Sequence, residues 1–399
     1  MIKISFPSKD FSQALAVLGK QTARKSLLPI LQDVLLRFNE ERHVFQMMAS
    51  DSEAWLTLDA PFISLLERKD PSPAVVLPLS MLKEMFALLP AVFCTAVISD
   101  GKISVSHECG KFSLPVRDSE EFPMPLPVAT PSTPLPRSFE PVCRFSMDSS
   151  WLLKSIADAH TCVANDLLRP QMNAVCMEVF ADKLVVVSSN GQTLYKNQID
   201  MGAGGDYLEY RQFEADKSAR LLVPRNVLDT IVSAFSSAES VTVTADEKRI
   251  QFQAEGIDLV CRAEEGNYPN YDSVIPRKSP YVVKVSRASL RAALRRLGIF
   301  ASESGLAVIS RKGDQLVLRA DDIEFSTEGN ELVPILSGME LPENQSTGMK
   351  IPVMLSMLNI VGTQNVELHM DEPQRAVLLR EDCDNSQLTL LVMPMIINP

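Results

Sequence analysis

The sequence predicts an α+β fold repeated three times along the chain, and three observations carry that prediction. A strand followed by an amphipathic helix recurs at intervals of one third of the 399 residues. A second helix introduced by a proline recurs behind each, and alternating strands fill the spaces between. Strand runs interrupted by two helices fit helices laid on one face of antiparallel sheets, because a doubly wound parallel sheet needs a helix after nearly every strand.

The elements follow in order. Ile4-Ser5 closes a short strand, and Phe11, Ala14, Leu15 and Leu18 then take helical spacing. Phe145-Ser146 precedes Trp151, Leu152, Ile156 and Ala159, and Val285-Ser286 precedes Leu290, Ala293, Leu294 and Leu297. The serines Ser5, Ser146 and Ser286 are 141 and 140 residues apart. Pro78, Pro224 and Pro352 open the second helices, predicted over Leu79–Leu89, Arg225–Phe235 and Val353–Val361, since proline in a first turn removes an amide that would be unpaired anyway. Alternation predicts strands over Thr95–Val105, Ser240–Phe252 and Asn365–Leu379 after these helices. Between the helices it predicts Val34–Phe38 with Val44–Met48, Val175–Phe180 with Leu184–Val187, and Ala307–Ser310 with Leu316–Leu318. The proline-rich run Phe122–Pro136 reads as an extended linker, and Asn267–Pro276 closes the second repeat in the same way. Domains at 1–139, 140–279 and 280–399 follow.

Composition narrows the function. The chain is 46% hydrophobic and 22% charged, the balance of a globular protein with sizeable cores. No apolar run reaches the ~18 residues of a membrane span, and Met1–Pro7 has no signal-peptide core, so a cytoplasmic protein without membrane contact is expected. The seven cysteines contain no Cys-x-x-Cys, and the four histidines contain no i, i+4 pair, so neither a metal site nor a cofactor is expected. Gly202–Asp206 superficially has the look of a phosphate loop but reads as a hairpin connection. Asp321, Asp322 and Glu324 are the densest acidic cluster, with no basic catalytic partner nearby in sequence. No catalytic residue is nominated.

Basic residues say more. Net charge is −11, which argues against indiscriminate nucleic-acid binding by the whole surface. Yet Lys284–Arg296 holds Lys284, Arg287, Arg291, Arg295 and Arg296 without an acid, and the equivalent stretch of the first repeat holds Lys9, Lys20, Arg24 and Lys25 against Asp10 alone. A basic first helix at two equivalent places points to a surface facing phosphates.

Leu28-Pro-Ile-Leu31, Arg169-Pro-Gln-Met-Asn173, Ser189-Asn-Gly191, Asn267-Tyr-Pro-Asn-Tyr271 and Val392-Met-Pro-Met395, in this order along the whole chain, resemble the bacterial DNA polymerase III beta subunits, the replicative sliding clamps. The resemblance implies a DNA-clamp fold and a head-to-tail homodimeric ring, with helices lining the hole. It implies a non-catalytic processivity subunit that encircles double-stranded DNA without reading sequence. The DNA-binding set would be Arg24, Lys25, Arg287, Arg291 and Arg295. It also implies a cleft for short linear peptides of the polymerase catalytic subunit, the clamp loader and repair proteins. Arg169, Met172, Ser189, Gly191, Leu194, Pro276, Val392, Met393, Pro394 and Met395 match the cleft. Phe112 and Leu114 of one chain would pack on Ile299 and Phe300 of another. The chain departs from the family at Gln192-Thr193, where a His-Arg pair is common, and at Ile396–Pro399, which bears on partner choice. A second-copy clamp-like scaffold with altered partners and a three-repeat hydrolase are the alternative readings.

Overall fold

The computed structural model describes residues 2–22, 28–39, 41–68, 74–99, 101–125, 141–180, 182–201, 207–211, 218–322, 324–338, 341–343, 345–384 and 386–397. Arg24, Lys25, the linker beyond residue 125 and Gly202–Asp206 lie outside the described residues.

Six α-helices are described: α1 (Ser8–Leu18), α2 (Leu79–Leu88), α3 (Ser149–His160), α4 (Arg225–Ala234), α5 (Arg287–Leu297) and α6 (Ile351–Ile360). All strand ladders between them are antiparallel. The three alternating runs that follow α2, α4 and α6 each fold as a hairpin, as Phe93–Ser99 with Lys102–His107, Ser240–Asp246 with Arg249–Ala254, and Asn365–Met370 with Val377–Glu381. Alternation alone does not see the reversal. In the first run Gly101 turns at φ 71°, and in the second the Asp246 carboxylate accepts the amides of Lys248 and Arg249 at 2.9 and 2.8 Å. Pro78 and Pro224 end a strand and cap the helix, one position before its first turn, whereas Pro352 lies inside the first turn of α6.

One hydrogen bond recurs three times and marks the repeat. The first residue of each first helix donates its amide to the loop beyond the second helix: Ser8 to Val92 at 2.9 Å, Ser149 to Glu239 at 3.0 Å, and Arg287 to Gln364 at 3.1 Å. Its side chain then caps a neighbouring carbonyl: Ser8 that of Pro90, Ser149 that of Ala238 and Arg287 that of Val361. Each first-helix start is thereby tied to its own repeat, including that of α1, which has no side-chain N-cap.

The chain packs as two compact units, Met1–Ala157 with Met201–Glu264, and Asp158–Asp200 with Glu265–Pro399. In the first unit, the core under α1 and α2 is aromatic, with Phe11 4.9 Å from Phe6 and 4.8 Å from Phe86 between ring centroids. A sheet of order Ser64–Arg68, Ile2–Pro7, Phe93–Ser99, Lys102–His107, Gly110–Pro115 leaves Gly110–Pro115 at its edge. A second sheet joins the first two repeats where Ala54–Pro61 pairs with Ile257–Arg262. In the second unit, Thr193–Asp200 pairs with Thr389–Val392 in the same way. These are equivalent seams, each made by the last strand of one repeat lying against the middle of the preceding repeat.

Among the described residues no helix is long and apolar enough to cross a membrane, and no cluster of three potential metal ligands occurs. Cys162 is buried, and burial pushes its thiol up to about 11. A thiol so held is a small apolar filler.

Candidate functional site

The second unit assembles most of the cleft residues around one hairpin. Asn190 Oδ1 accepts the amides of Gln192 and Thr193 at 2.9 and 2.8 Å, which fixes the turn between Lys183–Ser189 and Thr193–Asp200. The Ser189 hydroxyl donates to the Thr193 carbonyl at 2.8 Å and accepts the Gly191 amide at 3.2 Å. Gly191 has φ 88°, where a side chain would be strained. The Arg169 guanidinium lies 3.7 Å from the place a Cβ would take there. Arg169 is itself held by Asp166, with Nε to Oδ2 at 2.9 Å. The Leu168 amide and Arg169 together keep the Asp166 carboxyl below the usual carboxylate range.

The final strand completes the site. Val392 pairs with Thr193 and Leu391 with Leu194, and the Met393 amide donates to the Gln192 carbonyl at 2.8 Å. The chain then crosses to Gly348, whose carbonyl accepts the Met395 amide at 2.8 Å. Met172, Leu194 and Val392 are buried and form structure beneath the site. Met393 is exposed, while Pro276, Pro394 and Met395 are half-buried, so these present the accessible apolar surface.

Sequence reasoning missed other apolar residues on the same segments. Leu167 and Leu168 are 96% and 90% exposed on the turn before Arg169, and Val274 and Ile396 are exposed beside Pro276 and Met395. A Leu-Leu pair between Asp166 and Arg169-Pro170, in a segment too polar to be core, was the available signal.

Residues 272–396 match the family model described as DNA polymerase III beta subunit, C-terminal domain. The beta sliding clamp of Synechocystis sp. is 22% identical over 413 residues, covering 99% of each chain. That of Pseudomonas aeruginosa is 22% identical over 375 residues, covering 93% of this chain and 94% of its own. Among solved structures, the DNA polymerase III beta subunit of Thermotoga maritima superposes with a TM-score of 0.84 at 19% identity over the whole of both chains. The sliding clamp of Bartonella birtlesii gives 0.85 at 17%, also over the whole of both. This chain has the sliding-clamp fold.

Within that fold, the basic stretch around α5 divides sharply. Lys284 bonds Asp382 at 2.6 Å, and Arg296 forks onto Glu331 with two bonds of 2.6 Å. Arg287 caps the Val361 carbonyl, the task that Ser8 and Ser149 perform in the other repeats. Arg295 is exposed, and Arg291 is half-buried, its Nε without a hydrogen-bond partner among the described residues. Among the described residues, the basic stretch around α5 therefore offers two guanidinium groups, not five charges.

Phe112 lies on the edge strand Gly110–Pro115 and stacks on His107 at 5.8 Å, while Leu114 is buried within its own chain. Ile299 and Phe300 are exposed just past α5. Residues 327–334 of the strand Thr327–Gly338 pair with Gln315–Asp322, and on their other side no strand is paired among the described residues.

Proposed function

We propose that this chain is a sliding-clamp processivity subunit, closing head to tail with a second copy around duplex DNA and tethering polymerases and other replication proteins through the Gly191–Met393 cleft. The observation that carries the reading is the repetition of the seam. At both seams inside the chain, the last strand of a repeat pairs with the middle of the preceding one. The two elements left over, Gly110–Pro115 and 327–334, are the same two halves of that joint.

Register supports the match. The internal ladder sets Leu259 opposite Leu56. Their hairpin positions correspond to Phe112 and Gly329, so the ladder between copies sets Phe112 opposite Gly329. A Cβ on Gly329 would stand 3.1 Å from the Phe300 ring, so Phe300 already lies against Gly329 on the face that Phe112 would meet. The helical side agrees. Lys20, just past α1, donates to Ser233 of α4, and the equivalent pair across copies is Ile299 with Ala87, beside the exposed Leu88. A polar contact inside the chain becomes an apolar one between copies, as a closed C2 ring requires of edges otherwise exposed to water.

Arg291 and Arg295, with Arg24 and Lys25 of the first repeat, are the phosphate contacts in this reading. Such contacts carry no sequence information, so the ring slides, and retention comes from topology without an active site. A processivity subunit of this kind works on chromosomal DNA in the cytoplasm. Loaded on a nicked circle, the protein is expected to stay bound and to be lost when the circle is linearised; equal retention after linearisation overturns encirclement. Lys25→Ala with Arg291→Ala and Arg295→Ala is expected to leave the dimer mass unchanged. Each cation removed from a phosphate should lower the salt slope of DNA binding by about 0.9. An unchanged slope would mean that other residues face the phosphates.

A further inference from the structure

We propose that Glu178 and Lys196 are positioning residues for partner binding, clasping the connector that carries Val274 and Pro276 against the sheet beneath the cleft. The inference rests on the cleft reading above and names what shapes one of its walls.

The connector passes through a turn of three residues, Tyr271–Ser273, before Val274 and Pro276. So short a 3-10 turn has little stability of its own, and the backbone bond inside it is local, from the Val274 amide to the Tyr271 carbonyl at 3.3 Å. Two adjacent side chains anchor it instead. Tyr271 turns inward, buried, and its hydroxyl bonds the carboxyl of Glu178, which is buried in the strand Ala174–Val179. Burial first, and the Glu178 carboxyl next, push the Tyr271 hydroxyl far above the ordinary tyrosine range, so it remains a donor. Asp272 turns outward and meets Lys196 Nζ at 2.7 Å. The same ammonium lies 5.1 Å from the centre of the Tyr271 ring, so Lys196 grips both residues.

Lys196 stands two positions beyond Leu194, on the strand that pairs with Thr389–Val392. The clasp therefore fixes the exposed Val274 relative to the strand that leads into Met393, with a tyrosine bond beneath and an ion pair above. A cleft that binds adaptable peptides gains affinity when its walls are held in place before the ligand arrives. Lys196 and Asp272 do not themselves offer apolar contact, so their effect on binding runs through the connector.

The test is titration of a fluorescent Gln-x-x-Leu-x-Phe peptide into the full-length protein. Lys196→Asp is expected to weaken binding about fivefold, and Tyr271→Phe about tenfold, mainly by faster dissociation. Lys196→Asp with Asp272→Lys is expected to restore affinity, which loss of a merely stabilising residue would not predict. Dimer mass and thermal midpoint of each variant are followed alongside, and Lys196→Gln replaces Lys196→Asp if the latter does not fold. Folded clasp variants that bind as the parent does, while Met393→Ala with Met395→Ala loses the peptide, overturn this inference alone. A parent chain that binds no such peptide overturns the cleft reading itself.

Discussion

Phe300→Asp is expected to convert a dimer of twice 44.1 kDa into monomers in sedimentation at micromolar concentration. In the proposed ring the register would set Phe112 of one copy over Gly329 and Phe300 of the other, and an aspartate there would lose its water without gaining a partner. Truncating or charging a central aromatic of this kind costs about 2–4 kcal/mol at each interface. A closed ring contains the interface twice, so the dissociation constant should rise about a thousandfold or more. Phe300 is exposed in the single chain, so its replacement leaves each fold intact. Far-UV dichroism should therefore be unchanged while mass halves. A variant that sediments as a dimer would show that these edges do not close the ring.

Met393→Ala with Met395→Ala is expected to cost roughly 2–4 kcal/mol of peptide affinity, about 30- to 1,000-fold, with dimer mass and DNA retention preserved. Both side chains reach the surface, and their main-chain amides bond the Gln192 turn and the strand at Gly348, which alanine keeps. Leu194→Ala would be a poorer probe. That leucine is buried, and emptying such a site costs about 2–5 kcal/mol of stability whatever it does for binding. Calorimetry on the folded double variant decides the matter, and unchanged affinity would remove this cleft as the docking place.

The α+β class and the six helices were legible because their signals are local: the apolar spacing of Phe11 to Leu18, and a proline before or within each second helix. The candidate cleft came only through resemblance, because Arg169, Gly191 and Met393 are joined by a hairpin and a strand pairing that no periodicity encodes. Charge was the weakest guide. Lys284, Arg287 and Arg296 look like free cations in a row of letters, yet each is engaged by a group distant in sequence: Asp382, the Val361 carbonyl and Glu331. Leu167 and Leu168 were missed for the converse reason, since their polar setting, Asp166 before and Arg169-Pro170 after, is a fainter signal of exposure than two leucines are of burial.

The bond from Met393 to Gln192 has a kinetic corollary. It joins positions about 200 residues apart, and such a closure adds little to the thermodynamic cost, since each doubling of a loop costs only about 0.6 kcal/mol more. In time it is a different matter, because topologies rich in pairings of high sequence separation fold slowly. The proposed docking surface is thus complete only once this long-range pairing has closed. On that reading, a partner that recognises it is in effect inspecting a finished molecule, and a half-folded chain would offer it nothing to hold.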